Sequence, residues 1–148
     1  MTSHKRARRL VAIAAASAIA PLLAGCTPIH ILFPPPPNPK VLADAQQAQT
    51  DEKTLFAQLQ QPAPACDATS VAPLFATVKA DLEKVRADNV PQNPAVDQQA
   101  IQLEKQLADL QAGLPAPPAC LPANIATTQQ PLFELGLSQI VTKETPKG

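Results

Sequence analysis

Residues 94–114, PAVDQQAIQLEKQLADLQAGL, are the stretch that decides the fold. Apolar residues recur along it at steps of four and three, the spacing of one face of a helix that packs on other helices: Val96, Ala100, Leu103, Leu107, Leu110 and Leu114. Asn93 is suited to the N-cap, and Pro94 to the first helical position. Gly113, followed by several prolines, predicts the end of the helix.

The preceding segment, residues 70–89, shows the same pattern. Its apolar residues step by four and three and are Val71, Phe75, Val78, Leu82 and Val85. We expect Thr69 or Ser70 to cap this helix, because a side-chain oxygen there can accept from a free backbone amide. Residues 88–94 are rich in Asn and Pro and predict a turn. Two such helices joined by a short turn are expected to pack antiparallel.

Weaker patterns flank this hairpin. Residues 40–61 predict a further helix, whose apolar stripe is interrupted by one charged residue, Glu52, and which ends before Pro62. Residues 121–130 suggest a loop. Residues 131–142 are compatible with a short fourth helix or with an extended segment on the bundle, and Gly136 weakens the helical alternative. The expected fold is an all-α, antiparallel three-helix or four-helix bundle over residues 40–141, with a disordered polar tail at 142–148.

Cys66 and Cys120 flank the predicted hairpin at its open end. If the chain is exported, an even pair of cysteines is most simply a disulfide. The alternatives are a metal site or two free thiols. A metal site would need further ligands, and the one histidine after residue 25 is His30, far away in the sequence. No metal or cofactor is therefore expected.

The N-terminus has the order of a secretory signal. Basic residues between His4 and Arg9 precede an apolar run from Leu10 to Leu23, which is too short to span a membrane as a helix. The run ends in Leu23, Ala24, Gly25 and Cys26. These four residues resemble the lipobox of bacterial lipoproteins; the alternative is an ordinary signal peptide with an incidental cysteine. The resemblance implies that residues 1–25 are removed and that Cys26 carries diacylglycerol and, on its new amine, a further acyl chain such as palmitate.

A proline-rich tether, residues 26–39, would then separate the lipid from the helical domain. Its four consecutive prolines, Pro34 to Pro37, favour an extended polyproline II spacer. The apolar residues next to the anchor, from Ile29 to Phe33, could enter the headgroup region, contact a partner, or form part of the linker. The processed chain keeps eight basic residues against twelve acidic ones, a net charge of −4. This balance argues against nucleic acid as a partner.

The sequence offers no constellation of catalytic residues, so we do not expect an enzyme. Two functions are consistent with the pattern: a membrane-anchored adaptor that binds another envelope protein, or an assembly chaperone for a secretion system. The second rests on architecture shared with the pilotins, which are small helical lipoproteins with one disulfide. An open apolar groove would favour the chaperone. Thr27, rather than Asp, follows Cys26, so the resemblance implies the periplasmic face of the outer membrane if the host is Gram-negative.

Overall fold

A computed structural model of the chain describes residues 35–90 and 93–146. These residues form four helices: α1 (Pro39–Leu59), α2 (Ala68–Asp88), α3 (Pro94–Ala112) and α4 (Ala123–Glu144). The expectation of an all-α bundle is confirmed for this part of the chain. The predicted lipobox, Leu23 to Cys26, lies outside the described residues.

Each helix begins where local chemistry favours it. The side chain of Asn38 accepts from the backbone amides of Lys40 and Val41, and Pro39 opens α1. Asn93 caps α3 as the sequence predicts. For α2 the expected cap is wrong: the cap is Asp67, whose carboxylate accepts from the Ser70 amide at 2.8 Å. That bond lowers the pKa of Asp67, since it favours the charged form.

The fourth helix corrects the reading of the C-terminal region. The expected loop at 121–130 is wrong from residue 123 onward, because α4 begins at Ala123. The helix then continues past Gly136 to Glu144. Gly136 faces α3, where an added Cβ would lie 2.6 Å from Cδ2 of Leu103. The glycine therefore permits a close approach of the two helices rather than breaking α4.

The helices alternate in direction. The start of α1, the end of α2, the start of α3 and the end of α4 meet at one end of the bundle, which we call the tether end. There, Asn38 donates its backbone N–H to Glu144 and its side-chain amide to the carbonyl of Asp88. Glu144 also accepts from the side chain of Asn93 at 3.1 Å. One polar network thus joins all four helices where the tether enters.

The opposite end is held by the disulfide between Cys66 and Cys120, whose Cα atoms lie 5.3 Å apart. The predicted bond is confirmed. It closes the loop that contains α2 and α3, while α1 and α4 lie outside that loop. In the described part of the chain, α1 packs on α2 and α4, and α3 packs on the same two helices. The core they enclose is apolar and contains the Phe56 and Phe133 rings, whose centroids are 6.3 Å apart.

Candidate functional site: the outer face of α4 and the α1–α4 groove

The outer surface of α4 is more apolar than that of the other helices. The described residues include five exposed large hydrophobic side chains, of which three lie on α4: Ile125, Leu132 and Leu135. Leu132 and Leu135 are 51% and 55% exposed. Steps of seven and three residues place the three side chains along one helical face. We call these three residues the α4 stripe.

The other helices present a different surface. In the part of the chain that the structure describes, α1 and α2 expose no large hydrophobic side chain, and α3 exposes one, Ile101. Their outer faces carry mainly Gln, Ala and charged residues. Among the described helices, α4 alone exposes more than one large hydrophobic side chain. The α4 stripe is therefore the part of the bundle best suited to contact a partner.

A groove of about 460 Å³ lies beside the stripe, between α1 and α4. Its walls are polar apart from Pro131 and Leu135, and its lining from α1 consists of Gln49, Glu52 and Lys53. Glu134 and Ser138 contribute the polar groups of α4. Leu135 belongs both to the groove and to the α4 stripe, so the two features form one continuous surface.

Glu52 is the unusual member of this surface. It is 0% exposed, and neither of its carboxylate oxygens has a hydrogen-bond partner among the described residues. Burial, reinforced by the nearby charge of Glu134, raises its pKa to about 7, while Lys53 opposes the shift. A carboxyl group without a partner in an apolar interface is costly once it ionises. Glu52 thus places a titrating group inside the α1–α4 contact at neutral pH.

A second set of carboxylates lies between α1 and α2. Asp44 is close to Asp88, and Asp51 is close to Asp81, which is only 3% exposed. By its spacing Asp81 lies next to the apolar stripe of α2, between Val78 and Leu82, and the structure buries it. Desolvation raises the pKa of Asp81, although Lys84 at 2.9 Å opposes the effect. Among the described residues no group of three or more His, Cys, Asp or Glu could hold a metal ion.

Two further features of the described bundle lie on α3 and at the tether end. Asp97 and Glu104 of α3 both pair with Arg86 across the α2–α3 interface, so these two carboxylates do not form a separate acidic site. A further cavity at the tether end is lined by Pro35 to Pro37 together with residues from the start of α3 and the end of α4. This cavity shows where the tether runs against the bundle.

The predicted site residues divide into two groups. Cys66 and Cys120 are brought together at the end of the bundle opposite the tether. Leu23, Ala24, Gly25 and Cys26 lie outside the described residues. Sequence reasoning did not assign a role to Glu52, although its position in an apolar stripe was the signal that could have found it. No helix in the described part of the chain has the length and apolar character needed to cross a membrane.

Comparison with known proteins gives no relative. No family model matches the chain, and neither the curated proteins nor the solved structures contain a match.

Proposed function

We propose that this chain is a lipid-anchored protein of the bacterial envelope whose four-helix bundle binds another envelope protein through the α4 stripe. Anchorage would occur through acylated Cys26, with the proline-rich tether between the bilayer and the bundle. The observation that carries the proposal is the exposure of Leu132 and Leu135 on a bundle whose α1 and α2 helices expose no large hydrophobic side chain among the described residues. Contiguous exposed apolar surface on a small protein commonly marks an interaction site.

The geometry also indicates how a partner would approach. Leu135 lies nine residues before the end of α4, about 14 Å from the tether end at 1.5 Å per residue. The stripe then runs away from the tether toward the disulfide end. A partner would therefore lie along the side of the bundle instead of at its tether end. This arrangement suits an adaptor that holds an envelope protein beside its own anchor.

A chaperone that cradles a helix, in the manner of a pilotin, is the alternative. Such a role requires a long apolar groove that the bundle leaves open. Among the described residues the helices pack around a continuous apolar core, the α1–α4 groove is mainly polar, and the cavity of about 270 Å³ between α3 and α4 is short. These features support an adaptor with a docking face over a chaperone with a cradle.

Site-specific crosslinking in the native host tests this proposal. A photo-reactive residue at position 132 or 135 is expected to give one dominant adduct, and a photo-reactive residue at Ile101 serves as the matched control on α3. The double substitution needs a probe elsewhere on the stripe, so the photo-reactive residue is then placed at position 125. Leu132→Ser together with Leu135→Ser should remove the adduct obtained from position 125. Equal labelling at all positions, or an adduct from position 125 that survives the double substitution, would show that the stripe is not a docking face.

The anchor requires its own variant. Cys26→Ser is expected to leave the bundle folded and to remove the crosslinked adduct by displacing the protein from its membrane. Retention of the same adduct by the displaced variant would mean that the stripe binds its partner without the anchor. A Cys26→Ser protein that is cleaved normally and still stays in the membrane fraction would count against lipidation at Cys26.

A further inference from the structure

In the described part of the chain, the lining of the α1–α4 groove contains more negative than positive charge. Glu52 lies buried at the α1 side of the groove and has no hydrogen-bond partner within the described ranges, and Glu134 lies on the α4 side. Of the residues that the structure describes, Lys53 is the one cation in this lining, and its side chain lies on the exposed surface of α1. The remaining polar groups of the lining, Gln49 and Ser138, are neutral hydrogen-bonding groups.

The groups present favour a cation as the ligand. Two carboxylates attract a positive charge, and the attraction is strengthened where burial keeps water away. Glutamine and serine oxygens can accept further hydrogen bonds from an ammonium or a guanidinium group. A neutral or anionic ligand would leave Glu52 without compensation. The chemistry of the lining therefore favours a cation.

The apolar surface beside the groove narrows the class of ligand further. Leu135 forms part of the groove and is also a member of the α4 stripe, with Leu132 one turn away. A ligand that occupies both features needs an apolar surface next to a positive charge. Lysine and arginine meet this requirement when apolar residues flank them on a protein surface, because their long aliphatic stems can lie on apolar neighbours. The net charge of −4 predicted for the processed chain is complementary to such a partner.

We propose that the α1–α4 groove is a binding site for the cationic side chain, lysine or arginine, of the protein that docks on the α4 stripe. This inference rests on the proposed function and specifies the chemistry of its partner. Apolar residues of the partner cover Leu132 and Leu135, and its cation enters the groove between Gln49 and Ser138. Glu134 on the wall contacts the cation, and Glu52, whose carboxylate is buried below the groove surface, attracts it through space.

Side-chain analogues test the groove without knowledge of the partner. Butylammonium and propylguanidinium are titrated at pH 8 into the full chain in detergent, and the backbone amides of Gln49, Leu135 and Ser138 are followed by NMR. We expect saturable shifts at these residues and about tenfold weaker binding in Glu52→Gln and in Glu134→Gln. Glu83→Gln, an exposed carboxylate on α2, is the matched control and should bind as the wild type does. Butan-1-ol, of equal length but uncharged, should give no saturable shift.

Two results would overturn the inference. The first is the absence of a saturable shift with either cation in the wild type. The second is unchanged affinity in both Glu52→Gln and Glu134→Gln, which would place the cation elsewhere. Glu52→Gln is isosteric, so its folding can be verified by the helical signal and by the dispersion of amide resonances far from the groove.

The failure of this inference is distinguishable from the failure of the proposed function. If neither analogue binds but Leu132→Ser with Leu135→Ser abolishes the crosslinked adduct, the stripe docks a partner and the cation site is refuted. If the analogues bind through Glu52 and Glu134 but those serine substitutions leave the adduct intact, the groove is a cation site and the docking function is refuted.

Discussion

Replacing Glu52 by glutamine should change how the stability of the bundle depends on pH. The pKa of Glu52 is raised from 4.5 to about 7 in the folded protein, so the folded state holds its proton more tightly than the unfolded chain. The resulting stabilisation is fully present below pH 4.5 and is lost as the pH rises through about 7. Above that pH the carboxylate is ionised in both states, and its contribution no longer changes.

The size of the effect follows from the linkage relation. With pKa values of 4.5 unfolded and about 7 folded, raising the pH from 5 to 8 removes about 2.5 kcal/mol of unfolding free energy. Because the carboxylate lies close beneath an open groove, solvent screens part of this penalty, and we expect about 1.5 to 2.5 kcal/mol. For a domain of this size that corresponds to a change in Tm of roughly 5 to 10 °C.

Urea unfolding followed by circular dichroism at several pH values provides the assay. The wild type should lose stability between pH 5 and 8, relative to Glu52→Gln, whose amide does not titrate. The comparison removes the contribution of the other acids to the pH dependence, because Asp44 and Asp81 keep their raised pKa values in both proteins. Glu83→Gln should follow the wild type at every pH. Parallel curves for the wild type and Glu52→Gln would refute the assignment of a raised pKa to Glu52.

Three further predictions concern the packing, the disulfide and the anchor. Gly136→Ala should lower the unfolding free energy by about 1–3 kcal/mol, because its Cβ would lie 2.6 Å from the Leu103 side chain; Gly113→Ala, whose nearest contacts are at 3.5 Å, should be close to neutral in the same urea titration. Equal effects of the two glycine substitutions would contradict the close approach of α3 and α4. Replacing Cys66 and Cys120 together by alanine should lower the unfolding free energy by about 4 kcal/mol, since the bond closes a loop with a sequence separation of 54 residues. Reductant should destabilise the wild type by the same amount. A wild type whose stability does not change with reductant would contradict this prediction. Cys26→Ser should release the protein from membranes or leave an uncleaved precursor, and unchanged lipid labelling would rule out the lipobox.

The all-α fold could be read from the sequence because the helical signals are local. These signals depend on neighbouring residues alone: the spacing of apolar residues at intervals of four and three positions, the cap formed by Asn93, and the prolines beyond the helix ends. The position of Cys66 and Cys120 relative to two such helices was enough to predict their pairing. The reading of α4 was incomplete, because Pro131 and Gly136 weaken a helix by local criteria, whereas tertiary packing stabilises it.

The sequence by itself therefore determined the helices α1 to α3, their antiparallel connection and the pairing of the cysteines. Only the tertiary structure decided which face of α4 remains uncovered, because Leu132, Leu135, Leu137 and Ile140 are alike in sequence and differ only in which side of the helix meets the core. It also decided the state of the acids: Glu52 and Asp81 are buried by neighbouring helices, while Glu83 remains in water. A pKa depends on the surroundings of the group in space, and those surroundings come from residues that are distant in the chain.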